Sequence, residues 1–143
     1  MSAATKAVIR RAFEALNKHD LAAFNELIPN CVCRSSAAGE FKGEAYKQHI
    51  NSVVTAFPDC HFTVEDQLFE GDKVVSRWTF TGTHKEKFMD IAATNKQLTL
   101  SVISIDRVVG GKIVEVWEEW DALSMMRQLG VVPAPKVETK VAA

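Results

Sequence analysis

Apolar residues recur at the helical period through the first third of the chain and at the strand period through most of the remainder. Val8, Ile9, Ala12, Phe13 and Leu16 share one face of a 3.6-residue repeat, which predicts an amphipathic helix from about Ala4 to Lys18. Asp20 suits the N-cap of a short second helix carrying Leu21, Phe24, Leu27 and Ile28, and Pro29 helps to end it. A third helix is expected after Gly43, with Tyr46, Ile50, Val53, Val54 and Phe57 on its buried side and Pro58 as its stop.

Beyond Pro58 the period changes to two. His61 to Glu70, Lys73 to His84, Leu98 to Val108 and Lys112 to Trp120 are rich in Val, Ile, Phe, Trp and Thr and read as strands. Gly71-Asp72 and Gly110-Gly111 mark hairpin turns, so these four strands are expected to be antiparallel neighbours. Leu123, Met125, Met126 and Leu129 predict a short C-terminal helix, capped by Asp121 and closed by Gly130. Helices followed by one antiparallel sheet indicate a single α+β domain over residues 1–131, with the helices covering one sheet face. The tail over residues 132–143 has little to bury and is expected to be mobile. On the other face of the sheet Ile103, Ile105 and Trp117 need a cover, and a second copy of the chain is the expected partner.

Composition narrows the class. At 143 residues, 47% of them hydrophobic, the chain can enclose a core with a pocket. Seventeen basic against eighteen acidic residues, with no dense Lys/Arg run, argue for a small-molecule partner and against nucleic acid. No apolar stretch approaches the ~20 residues that span a bilayer, so no membrane partner is expected. Cys31, Cys33 and Cys60 are an odd number beside an N-terminus without leader character, which leads us to expect free buried thiols and a cytoplasmic location. Neither Cys31-Val32-Cys33 nor the scattered His19, His49, His61 and His84 has the spacing of a metal site, so no metal or cofactor is expected.

The candidate chemistry lies between Gly110 and Gly130. Strand alternation sets Glu118 on the same side as Val114, Val116 and Trp120. Among apolar neighbours desolvation disfavours the ionised form and raises the pKa, which prepares a carboxylate for acid/base work near neutral pH. The alternative is that Glu118 simply faces water. Asp121 points to the opposite side and reads as the helix cap rather than the acid.

The order of elements and the phrases Phe57-Pro58-Asp59, Val75-Ser76-Arg77-Trp78, Thr81-Gly82-Thr83-His84, Gly111-Lys112-Ile113-Val114-Glu115 and Trp120-Asp121-Ala122-Leu123 resemble the SnoaL-like polyketide cyclases. The resemblance runs from about Ala7 to Val131. It implies the cone-shaped α+β fold of the nuclear transport factor 2-like superfamily, which also holds ketosteroid isomerases and limonene epoxide hydrolases. It also implies ring closure by intramolecular aldol condensation without metal or cofactor, with an aspartate on the last strand as acid/base and a histidine on the preceding strand beside it. By position the aspartate falls on Glu118, one methylene longer. The histidine falls on Ser104, whose hydroxyl hydrogen-bonds but does not exchange protons near neutral pH as imidazole does. His84 matches a histidine of the family's Gly-x-His phrase and is expected either at the concave face beside Glu118 or as a strand-end residue holding a loop. Arg34 stands where many relatives carry a histidine near the pocket entrance, and reads either as a clamp for a substrate carboxylate or as solvated loop surface. The family's glycine- and proline-rich loop is replaced here by residues 86–95, EKFMDIAATN, so substrate identity does not carry over.

The expected function is cofactor-independent general acid/base chemistry, aldol cyclisation or isomerisation, on an apolar carbonyl compound. Glu118 would remove a proton beside the carbonyl, and His84, Ser104 or the Trp78 indole N–H would hold the enolate oxygen. Trp78, Phe80, Val102, Val116 and Trp120 would form the apolar wall for a flat ligand. Two alternatives stay open: a hydrolase or hydratase whose carboxylate activates water, and a non-catalytic ligand-binding or dimerisation module. An enzyme calls for Glu118 buried in an open pocket with a hydrogen-bonding partner and for a cavity of at least ~300 Å³ reaching it, whereas a structural module calls for a filled core. Strand parity decides the place of Ser104, since a two-residue Gly110-Gly111 turn pairs Val109 with Lys112 and sets Ser104 opposite Trp117. A three-residue Val109-Gly110-Gly111 loop with Gly111 left-handed is therefore expected, turning both Ser104 and Glu118 toward the helices.

Overall fold

The computed structural model describes residues 3–133; the expected mobile tail falls almost wholly outside the described residues. The elements are α1 (Ala3–Asn17), α2 (Leu21–Leu27), β1 (Val32–Ser35), β2 (Gly39–Lys42), α3 (Glu44–Ala56), β3 (His61–Glu70), β4 (Lys73–Thr83), β5 (Gln97–Val109), β6 (Lys112–Trp120) and α4 (Ala122–Gln128). Local chemistry sets the helix ends. The Asp20 carboxylate accepts from the Ala23 amide at 3.0 Å, and the Asp121 carboxylate from the Ser124 amide at 2.9 Å.

Six strands form one sheet in the order β2-β1-β6-β5-β4-β3. The α+β expectation holds, and the four long strands are antiparallel neighbours. β1 and β2 were not anticipated. Each has only four residues, too few to show a period, and β1 joins the sheet by parallel pairing to β6, a long-range contact that no local pattern announces. The core lies between α1–α3 and the concave face, where Val8, Ile9, Phe24 and Ile28 meet Phe62, Val74, Trp78, Val102 and Val116.

The expected three-residue loop does not form. Val109 pairs with Lys112 across a two-residue turn in which Gly110 and Gly111 have φ of 58° and 75°, the conformation that primed hairpin turns require. Parity is restored one step further on. Val108 pairs with Ile113 and Arg107 with Glu115, so Val114 is the extra residue of a β-bulge and Ser104 comes to lie opposite Glu118. The same bulge takes Val114 out of the row it was expected to share with Glu118, and buried Ile113 takes its place.

The outer face is more polar than alternation suggests. Ile103 is 53% exposed, but Trp117 lies between the Arg34 and Lys73 cations at 5.7 and 5.6 Å. Glu115 receives Arg34 and Arg107, each at 2.7 Å. All three cysteines are free and buried. No described helix is long and apolar enough to cross a membrane.

Candidate active site

A polar row crosses the apolar concave face. Gln67 on β3, Ser76 on β4, Ser104 on β5, Glu118 on β6 and Ser35 on β1 are successive register partners. Most of the row is satisfied internally. Gln67 Nε2 donates to Ser76 Oγ at 3.0 Å, Trp78 Nε1 donates to Ser104 Oγ at 3.0 Å, and Ser35 Oγ accepts from the amides of Ala37 and Ala38. Glu118 is the exception: among the described residues no hydrogen bond reaches its carboxyl. With an oxygen lone pair taken by Trp78, the Ser104 hydroxyl keeps its hydrogen for an acceptor on the Glu118 side.

Glu118 stands in the wall between two cavities. The outer one, of about 80 Å³, is partly open to solvent and is lined by Trp78, Phe80, Val102 and Trp120, with Phe57, Phe62, Phe88 and Met125 and, from α3, His49, Ile50, Val53 and Val54. The inner one, of about 50 Å³, adds Tyr46, Ser104, Asp106 and Val116 to apolar residues of α1 and α2. Both are well short of the ~300 Å³ expected for a ligand site. Phe88, Trp120 and Met125 occupy the space, leaving room for several waters or for a carbonyl group and its neighbouring atoms.

The electrostatics follow from this enclosure. Burial, reinforced by the charge of Glu119, pushes Glu118 up to about 7. The residue as a whole is half-buried, because the outer cavity reaches it. Burial, and then the charge of Glu118, push Asp106 up to about 7 as well. Burial, and then the nearby Cys33, raise Tyr46 well above the usual phenol value. His49 stacks on Phe41 at 4.3 Å, and burial lowers its pKa, so a neutral imidazole faces the cavity mouth. No lysine or arginine lines either cavity. Among the described residues no three His, Cys, Asp or Glu side chains are placed to hold a metal.

A sheet with an unpartnered carboxylate at the wall of an apolar cavity fits the family that the sequence resembled, and the SnoaL-like polyketide cyclase model matches residues 6–129. The chain belongs to the SnoaL-like family. Solved structures agree. AclR from Streptomyces galilaeus, a candidate hydroxylase, is 28% identical with a TM-score of 0.80 over 90% of this chain and 97% of that one. IdmH from Streptomyces antibioticus, a candidate polyketide cyclase, is 29% identical with a TM-score of 0.75 over 88% and 98%. TsrD from Streptomyces laurentii is 25% identical with a TM-score of 0.80 over 92% and 99%. No curated protein sequence matches.

Within this SnoaL-like fold the expected site residues divide. Glu118, Trp78, Phe80, Val102 and Trp120 meet at the outer cavity, and Ser104 and Val116 join Glu118 at the inner one. His84 does not reach either. It is fully buried, stacks on Phe57 at 5.4 Å, and its Nδ1 accepts from the Thr94 amide at 3.3 Å and meets the Thr94 hydroxyl at 3.0 Å. Its backbone also pairs with Asn95 and Lys96, so it fastens the base of the loop that carries Phe88 into the outer cavity. Arg34 is corrected too: β1 turns it to the outer face beside Trp117, ion-paired to Glu115 and Glu40, on the opposite side of the sheet from Glu118.

Three residues of the site were missed. Asp106 carried a readable signal, since it lies two residues beyond Ser104 on one strand and so shares its face. Tyr46 was read only as a buried helix residue, and His49 only as one of the scattered histidines. Their place at the cavities depends on how α3 crosses the sheet.

Proposed function

We propose that this SnoaL-like protein is an enzyme that moves protons at a carbon acid, in an aldol cyclisation or isomerisation that uses no cofactor. One observation carries the reading: Glu118, raised to about 7, has neither a hydrogen-bond partner nor a cation among the described residues and lies at the wall of an apolar cavity open to solvent. A carboxylate that serves only the fold is paired or faces water. A ligand carbonyl that extended past Glu118 to the inner cavity would meet the Ser104 hydroxyl there, which Trp78 fixes, and present its adjacent carbon to Glu118. Glu118 takes the proton and the enolate carbon attacks a second carbonyl. The new alkoxide then recovers the proton from the Glu118 acid. In an isomerisation the same proton returns to a different carbon.

The cavity admits the reacting carbonyl and a few neighbouring atoms, so the rest of an apolar substrate lies over the mouth between α3 and the loop bearing Phe88. The inner cavity gives the same carboxylate room for a water, which supports hydration or hydrolysis as the second reading. We also propose that a second copy of the chain covers Ile103, with Ile105 and Trp117 around it.

The test uses an aryl 1,5-diketone in D2O followed by proton NMR. The wild type is expected to accelerate exchange beside the carbonyl and formation of the cyclic product, and Glu118→Gln to lose this at unchanged circular dichroism. Full acceleration by the variant would sink the base assignment. Incorporation of ¹⁸O from labelled water into a product that has not cyclised would favour the second reading.

A further inference from the structure

Asp106 has no part in the steps above, yet it shares a chamber with the residue that does. It lies opposite Val116 while Glu118 lies opposite Ser104, so the two acids are diagonal neighbours on one face of β5 and β6, a relation that brings backbones within about 7–8 Å and side chains closer. Both line the inner cavity. Asp106 is 9% exposed, and its Oδ1 has no hydrogen-bond partner among the described residues.

The surroundings supply no positive charge. α1 and α2 offer the chamber only apolar side chains, α3 offers Tyr46, and β4 offers Trp78. The thiols of Cys31, just before β1, and Cys33, within it, feel the charge of Asp106 and are themselves pushed upward by burial. Arg34 and Arg107 are committed to Glu115 on the outer face. Two ionised carboxylates do not share a desolvated chamber without a cation, whereas an acid and its conjugate base do.

We propose that Asp106 is a positioning residue for Glu118: the two carboxyl groups hold one proton between them across the inner chamber, so that Glu118 stands as the base and Asp106 keeps the proton. Burial decides which is which, because Asp106 is buried and lines the inner cavity alone, whereas Glu118 is half-buried and borders both. The resting pair carries one negative charge. Uptake of a substrate proton by Glu118 makes both acids neutral, and its return restores the pair, with no other proton donor consumed. This deepens the reading of Glu118 as the base and rests on it.

The experiment is carbon-13 NMR titration of protein labelled at the Asp and Glu carboxyl carbons, with Glu118→Gln and Asp106→Asn used to assign the signals. In the wild type the Glu118 signal is expected to move in two steps, the second coinciding with a step of Asp106. In Asp106→Asn the upper step disappears and one remains. If that variant does not fold, Glu118→Gln gives the reciprocal answer, with Asp106 titrating in a single step at lower pH than in the wild type. A single Glu118 step with the same midpoint in wild type and Asp106→Asn would overturn the proposal, as would an Asp106 titration indifferent to Glu118→Gln. The readout needs no substrate, so failure here removes the shared proton alone, whereas full turnover by Glu118→Gln removes the base itself.

Discussion

Ser104 and Glu118 stand directly opposite each other on β5 and β6, and one extra residue, Val114, puts them there. The two-residue turn between the strands would by itself oppose Ser104 to Trp117. The bulge shifts the pairing by one, so the hydroxyl fixed by Trp78 and the unpartnered carboxylate share the concave face.

The turn and the bulge are separable by mutation. Gly110→Ala and Gly111→Ala are each expected to cost about 1 kcal/mol, because both positions have positive φ. No atom lies within 4 Å of the added Cβ at either, so the cost is backbone strain alone. Deleting Val114 should cost several kcal/mol, since every residue of β6 beyond it would change face. Urea denaturation midpoints of the three variants check this ranking.

Stability should fall as pH rises. Glu118 and Asp106 go from ordinary values of 4.5 and 3.8 to about 7 on folding, so between those limits the native state holds more protons than the unfolded chain. Linkage then makes the stability drop across this window, by an amount on the order of a few kcal/mol. His49, lowered by burial, acts in the opposite sense below 6.5. Urea unfolding of wild type, Glu118→Gln and Asp106→Asn at pH 5 and pH 8 isolates the carboxyls, and each variant is expected to flatten the decline.

Ser104→Ala should cost about 1–3 kcal/mol, because it leaves the buried Trp78 indole N–H without its acceptor. Activity should fall with it, by about tenfold or more, as the donor to the ligand oxygen is lost. Ser104→Thr, which restores the hydroxyl, should recover the stability better than the bulkier side chain disturbs it. Thermal melts and the diketone assay together check both effects.

Arg34→Gln should leave turnover unchanged and lower stability only slightly, because its ion pairs are on the outer face and screened by solvent. A fall in turnover comparable to that of Glu118→Gln would return Arg34 to the site.

Ile103→Lys is expected to convert a dimer into a folded monomer, because a charge at a half-exposed position in the middle of the outer face is harmless in water and costly in an interface. Sedimentation velocity of both proteins checks it; a wild type that sediments as a monomer would refute the proposed pairing.

Much of the fold was legible along the chain because helices, long strands and their caps are written in local periods. Val8 to Leu16 and Tyr46 to Phe57 declared their helices, Asp20 and Asp121 their caps, and the alternation from His61 onward its strands. That Trp78 and Glu118 face the cavity side of the sheet was readable for the same reason, since side-chain alternation within one strand needs no knowledge of its neighbours. Arg34 and His84 were not. Whether Arg34 meets the pocket depends on β1 pairing with β6 across more than eighty residues, and whether His84 meets Glu118 depends on Thr94 and Phe57 holding it away. The face of Ser104 turned on where a single bulge residue falls, which the two glycines of the turn do not reveal. Periodicity determines which side of its own element a residue occupies; only the packed sheet decides what stands on the other side of the gap, because register and crossing are settled by the sum of contacts between distant segments.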